Sequence, residues 1–302
     1  MPTPTRPLYH PSLWPSWLLL GLLKLLTLLP FTTQLALGRL LGRIFMVVGR
    51  RRRHIADVNL RLCFPELDEA GHRRLLRETF EAQGMGLMET AAAWLMAPGR
   101  LLPRVTLEGV EYLEQARREG RAALMLGAHY TTLDIAGTLL GNFAEFDVIY
   151  RRQKNPVIEY MMTQGRRHYL KGGRTIAQDD MRGVYRSLAQ KRALWYPPDQ
   201  DYGAKHSVFV PFFGVPAAVI KAPTRMASRS NAVVLACSYH RTPDARYQLA
   251  IYPLEGFTGE DFEADAIAFN RQLEEQLRRY PEQYMWVHRR FKSRPPGAAK
   301  VY

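Results

Sequence analysis

The chain has 302 residues, 47% hydrophobic and 23% charged, which suits one large folded core and excludes a disordered polypeptide. Lys and Arg outnumber Asp and Glu by 42 to 28, a formal net charge of +14, so the expected partners are nucleic acid, anionic membranes or acidic ligands. Two cysteines, Cys63 and Cys237, exclude a disulfide framework or a zinc site and read as free thiols in a reducing compartment.

Residues 1–11 are Pro-rich and read as extended. Leu13 to Leu29 is apolar apart from Ser16, Lys24 and Thr27, and opens with Trp14 and Trp17, residues that favour a membrane interface. It lacks the basic start and small-residue cleavage site of a secretory signal. Phe31 to Gly49 is a second apolar stretch with Arg39 and Arg43 near helical period, followed by the run Arg50–Arg53. A basic stripe on an apolar helix suits an anionic bilayer, so residues 1–53 read as a membrane-attachment segment. If that segment spans, the arginine excess places the remainder of the chain on the cytoplasmic side.

Residues 54–302 read as the second unit, with a helical lead-in over 54–100 and an α/β core over 101–302. Asp57–Pro65 leads to a helix from Leu67 to about Met96, ended by Pro98-Gly99. Beyond Leu101, strand patterns at Val105–Leu107, Ala122–Leu126, Phe146–Tyr150, Ala193–Tyr196, Ser207–Val210, Ala232–Tyr239 and Tyr247–Tyr252 alternate with helical ones. The helical patterns fall at Glu111–Arg118, Thr132–Leu140, Pro156–Tyr169, Met181–Gln190, Ile220–Arg229 and Phe262–Tyr280. This alternation predicts an α/β fold with a mixed, largely parallel sheet flanked by helices.

The stretch most suggestive of chemistry is Arg121–Leu140. The apolar run Ala122–Leu126 is broken by Gly127, and Thr131 or Thr132 is placed to cap the next helix, leaving His129 in a strand-to-helix loop. Four residues separate His129 from Asp134. Within one helix that step turns through about 500° and splays the side chains apart. With His129 in the loop, Asp134 could reach back to one ring nitrogen and leave the other to take a proton from a hydroxyl. Backbone N–H groups at the helix start could hold an oxyanion. The bland alternative is a satisfied loop histidine beside a first-turn acid.

Further on, Tyr150–Pro156 sets Arg151, Arg152 and Lys154 between a strand and a helix that carries Arg166 and Arg167, suited to phosphate or acidic-protein contact. Trp195–Gly203 holds Asp199 and Asp201 in a Pro/Gly-stiffened loop, which reads either as functional or as an Asx-type turn. Ser207–Gly214 is apolar, as core or as an acyl pocket, with core favoured. Tyr284–Pro295 interleaves aromatics with His288, Arg289, Arg290 and Lys292, suited to a headgroup or to stacked bases; no nucleic-acid motif accompanies it, which disfavours the latter.

These motifs resemble the lipid A biosynthesis late acyltransferases. The resemblance is carried by Asn59-Leu-Arg-Leu-Cys-Phe-Pro-Glu66, His129-x-x-x-x-Asp134, Tyr150-Arg-x-x-x-Asn-Pro156, Gly165-Arg166, Leu194-Trp-Tyr-x-Pro-Asp-x-Asp-Tyr-Gly203, Ser207-Val-Phe-Val-Pro211 and Met285-Trp-x-His-Arg-Arg-Phe-Lys292. They occur in family order over nearly the whole chain. Many members have Glu where Asp134 stands. The resemblance implies a glycerophosphate-acyltransferase-like fold with an N-terminal membrane helix, at the bacterial inner membrane with its catalytic domain toward the cytoplasm. It implies transfer of a fatty acyl chain from acyl-carrier protein to a hydroxyl on a lipid A precursor. His129 is then the general base oriented by Asp134, with no covalent enzyme intermediate and no metal or organic cofactor. Arg166 and Asp199 stand where the family has residues important for activity, and Arg151, Arg289 and Arg290 are the further expected contacts to the anionic substrate. The alternatives are a glycerophospholipid or other glycolipid acyltransferase, or a non-catalytic anionic-lipid binder.

Overall fold

The computed structural model describes residues 7–170 and 172–302, so most of the Pro-rich leader (residues 1–6) lies outside the described residues. Three helices open the chain, α1 (Trp14–Leu26), α2 (Phe31–Val48) and α3 (Arg50–Cys63), and all lie against a 27-residue helix, α4 (Glu69–Leu95), or its neighbours. Asp68 caps α4, its carboxylate accepting the Gly71 N–H at 2.7 Å. The crossing of α2 and α4 is set by glycines. A methyl group on Gly84 would stand 2.1 Å from the Gly38 carbonyl oxygen, and one on Gly42 would stand 2.1 Å from that of Phe80. Small residues at these points let the two backbones touch, and at the same crossing Glu81 of α4 pairs with Arg43 at 2.7 Å and with Arg39 at 3.6 Å. Part of the expected basic stripe on α2 thus pairs with α4 while staying more than half exposed.

The α/β part follows in the order β1 (Val105–Glu108), α5 (Val110–Arg118), β2 (Ala123–Leu126), α6 (Leu133–Leu140), β3 (Asp147–Tyr150), α7 (Pro156–Tyr169), β4 (Thr175–Ala177), α8 (Met181–Ala189), β5 (Ala193–Tyr196), β6 (Ser207–Phe212), β7 (Val215–Ile220), α9 (Ala222–Ser230), β8 (Val233–Arg241), β9 (Tyr247–Pro253) and α10 (Phe262–Arg279). Seven strands form one sheet in the order β1-β9-β8-β2-β5-β3-β4. Every pairing is parallel except β8 with β9. The sheet is mixed and largely parallel with helices on its faces, as the alternating pattern predicts. β2 lies at its centre with all four residues buried, which is why its sequence is an unbroken apolar run.

Three elements go beyond the sequence reading. The lead-in at 57–65 is largely the last two turns of α3, whose first turn is the arginine run itself. β4 is only three residues long. β7 pairs with β6 as a separate two-stranded ribbon whose turn, Phe213-Gly214, has positive φ at both residues (50° and 74°). Pro211 and Pro216 face each other across that ribbon; both strands are edges, where a missing N–H is tolerated. Phe212 is fully buried, and no residue of 207–214 lines the large cavity beside His129, so the apolar Ser207–Gly214 stretch is core.

α2 is the one described helix long and apolar enough to cross a membrane, and 28% of it is buried within the protein. At 13 residues, α1 spans about 20 Å, short of a hydrocarbon core of about 30 Å. Lys24 on α1 donates to the carbonyl of Leu95, in the last turn of α4 where unpaired carbonyls and the helix dipole favour a cation.

Candidate active site

His129 stands three residues beyond the end of β2, and Asp199 stands three beyond the end of β5. The two strands are parallel neighbours in the register Leu126↔Tyr196, so continuing both chains brings the two residues level. The Asp199 carboxylate holds His129 twice, accepting its backbone N–H at 2.9 Å and contacting ring Nδ1 at 2.7 Å. The Asp199 side chain is 1% exposed and that of His129 is 19% exposed, so the acid is sealed behind the imidazole while the ring faces a cavity. Neighbours fix the loop. Tyr239 donates its hydroxyl to the Ala128 carbonyl, the Met285 N–H reaches the His129 carbonyl at 3.0 Å, and a methyl on Gly127 would strike Trp195 Nε1 at 2.5 Å.

Burial alone would lower the His129 pKa, but the charge of Asp199 and its hydrogen bond outweigh this and hold the pKa above the ordinary value of 6.5. Burial likewise opposes ionisation of Asp199; the His129 charge and the hydrogen bonds from its ring and backbone reverse that and hold the carboxyl below its ordinary value. The pair is an imidazole with a fixed tautomer, Nδ1 toward the acid and Nε2 free for a proton from a substrate.

The expected His129–Asp134 contact is not what the structure shows. Asp134 lies in the first turn of α6 and pairs with Arg166 of α7 at 3.1 Å. Both side chains are largely buried, at 15% and 12% exposed, so Arg166 demands a carboxylate and takes this one. His129, Asp134 and Arg166 still line one cavity of about 830 Å³. Part of the N–H set at the start of α6, expected as an oxyanion cradle, is also committed. Those of Tyr130, Thr131 and Leu133 donate to the carbonyls of Ala128, Gln283 and Tyr130.

The remaining expected contacts divide. Arg151 lines the cavity, on a loop pinned by Glu159, which accepts from the Tyr150 hydroxyl at 2.9 Å and the Gln153 N–H at 2.8 Å. Arg290 is 1% exposed and supports the β6–β7 ribbon from below, donating to the Ala218 carbonyl at 2.7 Å with its guanidinium 5.0 Å from the Phe212 ring. Arg289 lies over the Tyr302 ring at 5.5 Å. Neither reaches the cavity, because the aromatics of Tyr284–Phe291 turn inward as core and draw these arginines with them. The block's contribution to the cavity is His288 and Lys292, named with the arginines in the same motif, rather than Arg289 and Arg290. The two acids of the Asp199/Asp201 loop have separate uses. Asp199 holds the histidine; Asp201 makes an Asx-type turn with the Gly203 N–H at 2.8 Å and accepts from Ser293 N–H and Oγ at 2.6 and 2.8 Å.

Beyond these groups the cavity wall is greasy, with Leu133, Leu140, Phe146, Ile149 and Met162 on one side and Leu107, Leu249 and Ile251 on the other. Cys237 also lines it, its thiol pushed up to about 12 by burial, and Cys63 is buried elsewhere; both are free thiols. An ionisable pair with one free imidazole nitrogen, at the edge of an apolar trough flanked by cations, suits deprotonation of an alcohol on an amphiphilic anion.

A family model described as bacterial lipid A biosynthesis acyltransferase matches residues 1–293. The chain is 36% identical over 305 aligned residues to the lipid A biosynthesis lauroyltransferase of Escherichia coli K12, covering 100% of this chain and 99% of that one. It is 35% identical to the lipid A biosynthesis palmitoleoyltransferase of the same organism, over 99% of this chain and 97% of that one. A lipid A biosynthesis myristoyltransferase, also from Escherichia coli K12, is 30% identical over 97% of this chain and 91% of its own length. The chain therefore belongs to the bacterial lipid A biosynthesis acyltransferase family and is an acyltransferase.

Proposed function

We propose that this protein transfers a fatty acyl chain from an acyl-carrier-protein thioester to a hydroxyl of a hydroxyacyl chain on a lipid A precursor. His129 Nε2 takes the hydroxyl proton, Asp199 orients the ring and stabilises the imidazolium, and the alcohol oxygen attacks the thioester directly, without a covalent enzyme intermediate. The observation that carries this reading is the two-point hold of Asp199 on His129 beside an apolar cavity. A thioester is activated enough that a deprotonated alcohol suffices as nucleophile. Asp134 acts through Arg166, holding the guanidinium in the cavity wall, and Arg151 and Lys292 supply charge for phosphate or for an acidic carrier.

The same reading makes residues 1–53 the membrane-attachment segment and residues 54–302 the catalytic unit, at the inner membrane and facing the cytoplasm. In support, α1 and α2 leave Trp14, Leu18, Leu22, Leu25, Ile44 and Val48 exposed. α1 packs on α7 through Leu13, Leu20 and Val157, while Met162 and Arg166 of α7 line the cavity, so one helix separates the apolar surface from the site. The deciding experiment follows acyl transfer by mass spectrometry with purified His129→Ala and Asp199→Asn proteins, on a hydroxyacylated, phosphorylated disaccharide lipid. Both should lose nearly all turnover while still binding the acceptor; near-normal transfer by His129→Ala would remove the proposed base.

A further inference from the structure

The dyad accounts for the proton but not for the negative charge that develops on the thioester oxygen. Four of the backbone donors beside His129 are committed, since the N–H groups of residues 129, 130, 131 and 133 have carbonyl or carboxylate partners. A side chain can supply the donor, and the second histidine of the cavity is placed for it. The Asp201 N–H points at His288 Nε2 at 3.3 Å. An amide N–H only donates, so Nε2 carries the lone pair and the ring proton sits on Nδ1. The ring's hydrogen bond among the described residues is the one at Nε2, which leaves Nδ1–H to the cavity that His288 lines together with His129. Burial, reinforced by the charges of His129 and Arg290 against those of Asp199 and Asp201, brings the His288 pKa down to about 4, so the ring stays neutral under any working condition of the dyad. Its backbone is clamped: the buried Asn59 amide donates to the carbonyls of Trp286 at 2.7 Å and His288 at 2.8 Å, and the Tyr302 hydroxyl donates to the Asn59 Oδ1. That gives the Asn59 motif a physical role, which is to set the angle of His288.

We infer that His288 is a catalytic residue of the transfer, its neutral imidazole donating from Nδ1–H to the thioester carbonyl oxygen as that oxygen becomes an oxyanion. The inference rests on His129 as base. In the step, the acceptor O–H proton moves to His129 Nε2, the C–O bond forms, and the carbonyl π electrons go to the oxygen facing His288. Collapse reforms the carbonyl and breaks the C–S bond, and the thiolate leaves with the proton returned from His129. His288 keeps its own proton throughout.

The test compares His288→Gln with His288→Glu at the alkaline plateau of each pH profile, with His129→Ala assayed alongside. Either replacement can accept the Asp201 N–H, but only Gln also donates. The expected result is a kcat about 10²-fold lower for Glu than for Gln, both below wild type, with KM little changed. Equal kcat in the two variants overturns the inference. Activity retained by His129→Ala overturns the underlying mechanism instead, so the two failures are distinguishable. Should His288→Glu not fold, 15N NMR of the His129→Ala protein decides. Nδ1 should carry the proton and its resonance should move when acyl-carrier-protein thioester binds, whereas a proton on Nε2 or an unmoved resonance overturns the inference.

Discussion

His129 and Asp199 are 70 positions apart in sequence yet occupy equivalent places, each three residues past paired ends of adjacent parallel strands. The position of the imidazole is therefore set by the register of the sheet centre, the least deformable part of the fold. This relationship predicts the pH dependence. As the proposed base, His129 must be neutral to act, so kcat/KM should rise with pH through its pKa, which Asp199 holds above 6.5. Asp199→Asn removes the charge that raises it and leaves the burial that lowers it. The acid limb of the profile should then move below pH 6.5 while the plateau falls about 10²–10⁴-fold as the tautomer is lost. A pH–rate profile of the purified variant checks both. An unmoved limb would show that Asp199 does not charge the ring.

Asp134 should behave differently, because its partner is Arg166. Asp134→Asn leaves a largely buried guanidinium whose Nε already lacks a partner. We expect a loss of about 2 kcal/mol in unfolding free energy, below the roughly 3–5 of fully buried pairs since both groups keep some exposure. Turnover should fall, but the acid limb should stay where it is in wild type, since Asp134 does not act on His129. Asp134→Glu should restore most of both by regaining the ion pair. Denaturant unfolding and the same pH profile separate this outcome from that of Asp199→Asn.

Much of the fold is legible in the sequence because it follows from periodicity. The βα alternation locates nearly every sheet strand and helix beyond Leu101, α7 to the residue, since a buried strand between capped helices leaves a local signal. The dyad partner is not legible from spacing. Asp134 is five positions from His129 and Asp199 is 70, and only the parallel pairing of β2 with β5, a non-local fact, chooses between them. β7 escapes notice because Val215–Ile220 has Pro and Ala where strand formers are expected, and its stability comes from pairing with β6. The arginines at 289 and 290 draw attention by charge, but charge does not say which side of an aromatic block faces inward.

A buried polar knot joins α4 to the sheet. Glu89 is fully buried and accepts from Arg241 at 2.6 Å and from the Tyr247 hydroxyl at 2.5 Å. Three residues earlier on the same helix, Gly86 lies under the His129 loop, where a methyl would stand 2.7 Å from the Thr131 carbonyl oxygen. Arg241→Met should cost about 3–5 kcal/mol by leaving a carboxylate uncompensated. The Glu89→Met/Arg241→Met double variant should recover much of that, because it removes the charge as well as its partner. Chemical unfolding of wild type, both single variants and the double variant closes the cycle, and simple additivity would show that the two groups are not coupled.

The exposed face of α1 tests membrane attachment. Leu18, Leu22 and Leu25 lie about one turn apart and are 74%, 54% and 63% exposed, outside the buried clusters of the protein. Replacing all three with Glu should leave thermal unfolding in detergent unchanged. Binding to vesicles containing anionic lipid should weaken by at least about 100-fold, since three leucines inserted at an interface contribute several kcal/mol and the new charges are repelled. Neutralising Arg50 and Arg51, while sparing Arg52, which donates to the Val287 carbonyl beside His288, should act through a different term: weaker binding at low ionic strength, with the difference from wild type vanishing as salt rises. Turnover on a short-chain, soluble acceptor should be preserved in both variants, because neither touches the cavity. Vesicle sedimentation across a salt series reads the two effects separately, and a triple-Glu protein that still sediments with vesicles would place the attachment surface elsewhere on the chain.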